Sequence, residues 1–489
     1  DPIVNLAKRR GFLFPAAEIY GGASGLLDLG PLGVELNNSI KQLWWKRFVR
    51  QREDMVGLDS AILTPAPVLK ASGHVDSFSD PLIECANCKI RLRADHYLQE
   101  ENVSIWLRRW KDEAAKQRGT SSKKDEEAAV EAAQAFFDFS DPEHPQPRHG
   151  VTSAELICPN PDCRQTAYNE PRQFNMMFKT YLGPVEEEAA VAYLRPETAQ
   201  SIFTNFKNVL DTSRQKLPFG IAQIGKAFRN EITVGNSLFR VREFEQMEIE
   251  YFVWPGDDVA AHDRWIADAE RFLIDDLGVH KENLRRYEHP KESLSHYSTR
   301  TVDLEYNYPF GGFSELWGIA NRTDYDLRQH QEYSGKDLTY FDEESRERFI
   351  PYVIEPSVGV GRLLLTVLID AYQEYPQGRD GQSGECETVL HLDKKIAPVQ
   401  AAVLPLMKKD GLAQRAREVA GRLRQDYRLQ YDESGAIGRR YRRQDEIGTP
   451  YCLTIDYQTL QDQTVTVRDR DSMEQTRVKI DDLPAALIF

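Results

Sequence analysis

A stretch near the middle of the chain carries arginines and glutamates on an alternating apolar pattern. It reads FRNEITVGNSLFRVREFEQMEIEYF and runs from residue 228 to residue 252. Alternate side chains of a strand point to opposite faces, so Met247, Ile249 and Tyr251 are expected to face a core while charged residues share the other face. Arginine binds phosphate oxygens through paired hydrogen bonds, and carboxylates accept hydrogen bonds from ammonium groups. The pattern therefore predicts a site for a phosphate-bearing molecule at one end and an ammonium group at the other.

Ordinary ion pairs offer a second explanation for the same charges. Cross-strand pairs on a solvated sheet face need no ligand, and each contributes only about 0.2–1 kcal/mol. The arginines, however, stand near the turn at Gly235 and Asn236, and the carboxylates stand farther along the strand. A merely solvated face is seldom so ordered, so the pattern favours a binding site.

A second motif, EPSVGVGR, runs from Glu355 to Arg362. Its glycines let the backbone approach a ligand, and Arg362 falls in the first turn of the helix predicted to follow. The motif lacks the Gly-Lys-Ser/Thr of a P-loop, and it does not match the G-x-G-x-x-G of a dinucleotide site. Alone it is weak evidence for nucleotide binding, but two motifs with phosphate-ready arginines support each other.

The elements that position these motifs are predicted from apolar periodicity and turn residues. Two strands flank the turn near TVGNS and form a hairpin from Phe219 to Phe252. One helix is predicted after GPLG at residues 30–33, ending near Arg50, and another from Asp257 to Leu277. The remaining assignments are a strand and then a loop in AILTPAPVLKASGH, strands in TVDLEYNY and FSELWGIANRTDYDL, and a strand that enters a buried helix in YVIEPSVGVGRLLLTVLIDAY.

The totals describe an acidic globular protein. The chain has 489 residues and a net charge of −15, which argues against a protein that coats nucleic acid. Its length corresponds to about three domains at roughly 150 residues each. From Lys394 onward, 17 Lys and Arg stand against 14 Asp and Glu, so the last segment is weakly basic and suits an anionic partner. That segment alternates strands and helices, which predicts a compact α/β unit.

The sequence contains no apolar run of membrane-spanning length. The longest apolar stretch, LLLTVLID from Leu363, is far shorter than the roughly 20 residues that cross a bilayer. The N-terminal sequence DPIVNLAKRRGFLF lacks the apolar run of a secretory signal. These features predict a cytoplasmic protein with no membrane partner.

Four of the six cysteines form two close pairs. CANC supplies Cys85 and Cys88, and CPNPDC supplies Cys158 and Cys163. The C-x2-C and C-x4-C spacings suit four thiolates around a tetrahedral zinc ion, with free reduced cysteines as the alternative. The pairs bracket an insertion whose residues 99–150 are charged, Ala-rich and then Pro-rich, which predicts an exposed helical arm with a loop.

With its motifs in this order, the sequence resembles the class II aminoacyl-tRNA synthetases, and among them the homodimeric glycyl-tRNA synthetases. GPLGVELNNSIKQLWW resembles the first class motif, FRNE with FRVREFEQMEIEYF the second, EPSVGVGR the third, and YLRPETAQ a glycyl-type substrate loop. The resemblance implies an α+β catalytic domain, with an antiparallel sheet flanked by helices, in residues 1–84 and 165–393. It also implies an insertion at 85–164 and a C-terminal α/β anticodon-binding domain at 394–489.

The resemblance implies a reaction that joins glycine to tRNA(Gly) in two steps, through glycyl-adenylate. ATP with Mg²⁺ would be the nucleotide substrate, and a homodimer would be the working form. A synthetase for another amino acid is one rival, opposed by the RPET and EPS stretches. A non-charging paralogue acting as a binding or accessory subunit is another. Such paralogues usually lose motif arginines, whereas Arg229 and Arg362 are both present.

Matched positions imply individual roles. Arg229 and Arg362 would be the catalytic residues that neutralise the reacting phosphates. The residues expected to bind ATP are Arg229, Asn230, Glu231, Phe239, Arg240, Val241, Arg242, Glu243, Phe244, Glu315, Leu316, Gly359, Val360, Gly361 and Arg362. The residues expected to bind glycine are Arg93, Glu197, Phe244, Glu245, Gln246, Met247, Glu248, Arg322, Glu355, Pro356, Ser357, Val358 and Gly359. Glu315 would contact Mg²⁺. Arg439, Arg440, Tyr441, Arg442 and Arg443 would contact tRNA, unless they form a solvated basic turn.

Overall fold

The structure is a computed structural model of the chain. It describes residues 2–93, 137–138, 146–147, 158, 160, 162–163, 169, 172–187, 190–295, 297–379 and 385–489. Apart from the short strand pair at 137–138 and 146–147, the helical arm predicted at 99–150 lies outside the described residues.

The described residues form α-helices and β-strands. The helices are α1 (Pro2–Arg10), α2 (Pro31–Trp45), α3 (Ala66–Ala71), α4 (His74–Ser77), α5 (Ala199–Ser213), α6 (Asp258–Arg271), α7 (Tyr325–Ser334), α8 (Val360–Asp370), α9 (Leu412–Leu423), α10 (Ile437–Asp445), α11 (Tyr457–Asp462) and α12 (Leu483–Ala486). The strands that precede α5 in the chain are β1 (Leu13–Pro15), β2 (Leu27–Leu29), β3 (Met55–Gly57), β4 (Leu63–Pro65), β5 (Ser79–Glu84), β6 (Arg91–Arg93), β7 (Phe137–Asp138), β8 (Gln146–Pro147), β9 (Arg172–Asn175), β10 (Lys179–Tyr181) and β11 (Val191–Leu194). The later strands are β12 (Phe219–Phe228), β13 (Glu243–Val253), β14 (Leu284–Glu288), β15 (Arg300–Tyr308), β16 (Gly312–Thr323), β17 (Tyr340–Phe341), β18 (Arg348–Phe349), β19 (Tyr352–Gly359), β20 (Tyr372–Tyr375), β21 (Glu387–Leu390), β22 (Ala401–Pro405), β23 (Leu429–Tyr431), β24 (Tyr451–Ile455), β25 (Thr464–Asp469) and β26 (Gln475–Lys479).

A seven-stranded sheet forms the centre of the larger unit, in the order β14-β15-β16-β19-β13-β12-β3. All neighbours are antiparallel except β12 and β3, which are parallel. The expected antiparallel sheet with flanking helices is therefore confirmed. Strand β13 pairs with β12 on one side and β19 on the other, so the two motif strands lie next to each other.

The hairpin of β12 and β13 is confirmed, but its connection is longer than the predicted turn. Strand pairing ends where Phe228 faces Glu243, and residues 229–242 form a loop with a 3₁₀ turn at Ser237–Phe239. Arg229, Arg240 and Arg242 were expected on the strands and instead lie in this loop. Side chains of a loop can point in several directions, whereas alternate side chains of a strand point only to one face or the other.

Each face of the central sheet packs against helices. On one face, Met247, Ile249 and Tyr251 join a core with α2, α6 and α8, as their alternation predicted. On the other face, the Phe203 and Phe206 side chains of α5 pack against β12 and β13. The helix predicted to end near Arg50 is α2, continued by a π-helical segment at Lys46–Arg50. Likewise, α6 continues through a π-helical segment to Asp276.

Two predicted extended segments are partly helical. After β4, the chain enters α3 at Ala66, where proline at position 67 supplies a φ angle that suits the first turn of a helix. The predicted strand FSELWGIANRTDYDL ends at Thr323, and α7 begins at Tyr325. Thr323 has a φ of 55°, a left-handed conformation that ends the strand.

The C-terminal residues form a separate five-stranded sheet in the order β23-β22-β24-β25-β26. β22 is parallel to β23 and β24, while β24, β25 and β26 run antiparallel. Helix α9 packs Leu412, Ala416 and Val419 onto this sheet. The predicted α/β unit is thus confirmed. None of the helices in the described ranges is long and apolar enough to span a membrane.

Candidate active site

A cavity of about 470 Å³ opens beside β13, β16 and β19 and under the loop at 229–242. The predicted residues that line it are Arg93, Glu197, Arg229, Glu231, Phe239, Arg240, Val241, Phe244, Gln246, Glu248, Glu315, Glu355, Ser357, Gly359, Gly361 and Arg362. The two motifs, the RPET segment and the SELWG strand therefore meet at one place, although they are far apart in sequence.

Arginines gather at one end of the cavity. Nε of Arg229 donates to the carbonyl of Pro196 at 3.0 Å, and its guanidinium carbon lies 5.5 Å from the ring centroid of Phe244. Nε of Arg362 donates to the carbonyl of Phe239 at 3.2 Å. Burial, together with the positive charges of Arg93 and Arg362, lowers the pKa of Arg240. Such a cluster is favourable for an anion, because several guanidinium groups face the same part of the cavity.

Carboxylates also stand beside this arginine cluster. Nη1 of Arg362 lies 3.0 Å from Oε2 of Glu315, and Arg362 lowers the pKa of that carboxyl against the effect of burial. Asp303 lies on the neighbouring strand and pairs with Nε2 of His289 at 2.8 Å. That hydrogen bond raises the pKa of His289, whereas burial and the nearby Glu315 raise the pKa of Asp303.

The opposite end of the cavity is acidic. Glu197, Glu248 and Glu355 line it from the RPET loop, β13 and β19. Burial raises the pKa of Glu248, and the neighbouring charge of Glu197 adds to this. Burial raises the pKa of Glu355 to about 8, because repulsion from Glu248 and Glu197 adds to it and the attraction of Arg322 only partly offsets both. Three carboxyl groups in one buried place create a strong preference for a cation.

Glu197 behaves differently from its neighbours. Although burial opposes the shift, His74 and Arg322 hold the pKa of Glu197 well below its usual range. Nε2 of His74 lies 3.5 Å from Oε1 of Glu197, and Nε2 of Gln200 donates to the same oxygen at 2.9 Å. Glu197 therefore stays a carboxylate at neutral pH.

Arg322 lies behind the acidic end and does not line the cavity. Nε and Nη2 donate to the two oxygens of Asp326 at 2.8 and 2.9 Å, and Nη1 donates to Oε2 of Glu355 at 2.8 Å. Its guanidinium carbon lies 3.9 Å from the ring centroid of Tyr297. The guanidinium is therefore fully engaged with protein groups, and the structure places it as a support for Glu355.

Several other predicted residues have side chains outside the cavity lining. Met247, Leu316, Val358 and Val360 belong to the hydrophobic core, because alternate residues of β13, β16 and β19 point away from the cavity, as does the first residue of α8. Glu243 pairs with Lys226 at 2.9 Å, and Glu245 accepts hydrogen bonds from Asn37 and Lys41. Arg242 donates to the carbonyls of Ser24 and Glu231. Asn230 and Pro356 also lie outside the lining.

Sequence reasoning missed some residues at the cavity. The unpredicted lining side chains with polar groups are His289, Ser295, Tyr297, Thr301 and Asp303. They come from β14, β15 and the segment between them, which carry no recognised motif. The alternating charges of TVDLEYNY were the available signal.

Arg195 was also missed. It donates to the carbonyls of Lys226 and Ser60 and so holds the loop that carries Glu197.

Gly225 makes room for this arginine. A Cβ atom at Gly225 would lie 2.1 Å from Nη2 of Arg195. Arg195 is buried and could not move away without losing its backbone hydrogen bonds. The glycine on β12 is therefore required by the close approach of the RPET loop.

The four paired cysteines meet in the structure. Sγ of Cys85 lies 3.8 Å from Sγ of Cys163, and Sγ of Cys88 lies 3.5 Å from Sγ of Cys158. All four sulfurs lie within 4.8 Å of one another. A tetrahedral zinc ion with bonds of about 2.3 Å requires sulfurs about 3.8 Å apart, so these residues fit the metal.

The C-terminal arginine cluster forms a helix, α10, and not a turn. Arg440 is 3% exposed and donates to the carbonyls of Pro405 and Leu406, so it holds the fold and cannot contact tRNA. The hydroxyl of Tyr441 bonds to Thr454, and its ring packs beside the buried Cys452. The expectation that Arg440 contacts tRNA is therefore wrong, whereas Tyr441 is partly exposed and Arg439 is exposed.

Comparisons with known proteins agree with this architecture. Residues 178–371 match the tRNA synthetase class II core domain (G, H, P, S and T), and residues 400–488 match the anticodon binding domain. The chain is 52% identical to a glycine–tRNA ligase of Thermobifida fusca, over 98% of this chain and 96% of the relative. It is 50% identical to those of Cutibacterium acnes, over 98% and 94%, and Clostridium kluyveri, over 99% and 96%. Since half of its residues are shared over nearly its whole length, the chain belongs to the glycine–tRNA ligases of the class II aminoacyl-tRNA synthetases.

Proposed function

We propose that the cavity activates glycine with ATP and then passes the glycyl group to tRNA(Gly). Membership of the family makes the chain a ligase that charges tRNA with glycine. The observation that supports this use of the cavity is its opposite charges, with arginines at one end and three glutamates at the other. The phosphates of ATP, bound with Mg²⁺, complement the arginines, and the ammonium group of glycine complements the glutamates. The two substrates would therefore lie head to head in the cavity.

In the first step, the glycine carboxylate attacks the α-phosphorus of ATP and pyrophosphate leaves. The nucleophile is already ionised, so no general base is needed. Arg229 neutralises charge on the α-phosphate, and Arg362 neutralises charge on the departing pyrophosphate. Mg²⁺, contacted by Glu315, would neutralise the phosphate tail further. The ring of Phe244, beside Arg229, would support the adenine.

At the acidic end, Glu197, Glu248 and Glu355 accept hydrogen bonds from the glycine ammonium. Gln246 and Ser357 lie next to each other here, since Nε2 of Gln246 donates to Oγ of Ser357 at 3.3 Å. Side chains packed against the α-carbon of glycine would exclude even a methyl group, so selectivity for glycine would be steric. In the second step, the terminal ribose hydroxyl of tRNA attacks the glycyl carbonyl and AMP leaves.

ATP–pyrophosphate exchange tests this assignment without tRNA. Exchange should require glycine, while alanine and serine should support none above background. Exchange with alanine or serine and not with glycine would identify a synthetase of different specificity. Absence of exchange with all three would favour a non-charging accessory subunit.

We also propose that the chain works as a homodimer. Ile19 and Tyr20 are 88% and 86% exposed, and they lie close in sequence to the exposed Phe14. These residues belong to the segment that precedes α2, where the first class motif begins. Sedimentation of Ile19→Asp and Tyr20→Asp variants should show a lighter species, whereas Ile488→Asp, also at an exposed apolar position, should leave the mass unchanged.

The domain limits, the zinc ion and the location are further parts of the proposal. Residues 1–84 and 165–393 form the catalytic domain, 85–164 the insertion and 394–489 the anticodon-binding domain. The four cysteines hold a structural zinc ion at the base of the insertion. Arg439 on α10 contacts tRNA phosphates, and the protein works in the cytoplasm.

A further inference from the structure

Gln200 occupies a buried position between two parts of the acidic end. It stands in the first turn of α5, directly after the RPET loop, and is 2% exposed. Its amide nitrogen donates to Oε1 of Glu197 at 2.9 Å and to Oδ1 of Asp326 at 3.0 Å. Glu197 lines the cavity, while Asp326 holds Arg322 and, through it, Glu355. Gln200 thus joins a carboxylate that lines the cavity to a carboxylate behind it that comes from a different element.

His330 on α7 fixes the direction of this amide. Nε2 of His330 lies 2.8 Å from Oε1 of Gln200, and the imidazole is buried. If the amide were reversed, its oxygen would face the carboxylate oxygens of Glu197 and Asp326 at about 3 Å, and acceptors would oppose acceptors. The arrangement therefore requires a proton on Nε2 of His330, which donates to Gln200. Burial lowers the pKa of His330, so its ring is neutral with a single N–H.

The charges around Gln200 explain why a neutral amide is needed there. Glu197 and Asp326 both accept from it, and Arg322 already donates three hydrogen bonds, to Asp326 and Glu355. A carboxylate at position 200 would add repulsion. An apolar side chain would remove one hydrogen bond from each of two buried carboxylate oxygens, so that Oδ1 of Asp326 would keep only its bond from Nη2 of Arg322. Both changes would let Glu197 move relative to Glu355.

We propose that Gln200, oriented by His330, is a positioning residue that fixes Glu197 and the Arg322–Glu355 pair in one arrangement for the amino-acid ammonium group. This proposal rests on the proposed function, since it assigns that end of the cavity to glycine. Neither Gln200 nor His330 lines the cavity, so both act only through the carboxylates.

The test measures glycine-dependent ATP–pyrophosphate exchange in Gln200→Leu, Gln200→Glu, His330→Phe and His330→Gln. Gln200→Leu should raise the KM for glycine roughly 10- to 100-fold, because hydrogen bonds to charged groups are lost, and leave the KM for ATP within about twofold. Gln200→Glu should raise the KM for glycine at least as much. His330→Phe should give a smaller rise, and His330→Gln, which keeps an N–H donor, should restore a KM near that of the unmodified protein.

Gln444→Leu is the matched control, since Gln444 is an equally buried glutamine that bonds to Gln430 and Thr449 in the C-terminal unit. It should leave the KM for glycine unchanged. The proposal is overturned if Gln200→Leu keeps a normal glycine KM, if the ATP KM rises equally, or if His330→Gln is no better than His330→Phe. If Gln200→Leu fails to fold, the comparison of the KM for glycine between His330→Gln and His330→Phe still tests the proposal. Absence of glycine-dependent exchange in the unmodified protein would instead overturn the proposed function itself.

Discussion

Nη1 of Arg322 donates a hydrogen bond of 2.8 Å to Oε2 of Glu355, and both residues are buried, Glu355 in the cavity lining and Arg322 behind it. Arg322 also holds Asp326 through two further hydrogen bonds. We expect Arg322→Met to leave the buried carboxylate of Asp326 without its ion-pair partner, which typically costs about 3–5 kcal/mol of unfolding free energy. Urea denaturation measures this loss, and exchange assays should show a raised KM for glycine.

Arg348→Met is the control for that experiment. Arg348 and Asp337 are both about 60% exposed and 3.5 Å apart, so their pair should contribute less than about 1 kcal/mol. A similar loss of stability in both variants would contradict the supporting role of Arg322.

The acidic end should make glycine binding depend on pH. Burial, with repulsion from Glu248 and Glu197, raises the pKa of Glu355 from an ordinary 4.5 to about 8. If Glu355 accepts a hydrogen bond from the ammonium as a carboxylate, its proton must leave when glycine binds. The dissociation constant for glycine should then rise about tenfold for each pH unit below 8. Calorimetry in buffers of different ionisation enthalpy should detect one released proton near pH 7, and its absence would contradict this role.

The same group has the opposite effect on the stability of the protein without glycine. A pKa raised on folding means that the folded protein binds more protons than the unfolded chain between pH 4.5 and about 8. The contribution of Glu355 to the unfolding free energy is therefore greatest below pH 4.5 and is lost as pH rises through 8. Glu355→Gln should remove this dependence, since the amide does not titrate.

Much of the fold followed from local patterns. Burial of Met247, Ile249 and Tyr251 on one face of β13 was predicted by their alternation, because burial in a strand repeats every two residues. The same alternation predicted that Gln246 and Glu248 point to the opposite face, where they line the cavity.

Relationships between distant segments were not accessible in this way. Asp303 and His289 reach the cavity only because β14 and β15 are neighbours in the sheet, and no local signal gives that order. Arg440 was expected to contact tRNA, yet it is buried and donates to the carbonyl of Pro405 at the end of β22. Glu250 shares a face with Glu248, but it lies behind the cavity, and neither of its carboxyl oxygens has a hydrogen-bond partner among the described residues.

Arg229 should be required for the first step of the reaction. Its guanidinium stands against Phe244 and faces the cavity, where it would meet the α-phosphate. Arg229→Ala should lower the exchange rate about 100-fold, equivalent to roughly 3 kcal/mol for one lost charge-stabilising donor. Lys226→Ala, which removes an exposed ion pair with Glu243 on the same hairpin, should leave the rate unchanged. A folded Arg229→Ala variant with normal exchange would refute the assignment.

The cysteine cluster should hold one zinc ion per chain. Four thiolates at these distances match tetrahedral coordination, and metal binding would stabilise the segment that carries them. Cys85→Ser and Cys158→Ser should each lose the metal, as measured by elemental analysis of the purified protein. Cys386→Ser changes an exposed cysteine outside the cluster, and this variant should keep one zinc ion per chain. A metal-free wild-type protein, purified without chelator, would favour four free reduced cysteines.

The C-terminal unit should separate tRNA charging from glycine activation. Arg439 is exposed on α10, whereas Arg440 is buried and donates to backbone carbonyls. Arg439→Ala should weaken aminoacylation by raising the KM for tRNA, while ATP–pyrophosphate exchange stays normal. The affinity for tRNA should also depend less steeply on salt concentration, because one phosphate contact is lost. Arg440→Ala should instead lower the stability of this unit. The control is Arg424→Ala, at an exposed arginine that follows α9. An equal effect of Arg424→Ala on the KM for tRNA would show that net charge, and not the position of α10, governs the interaction.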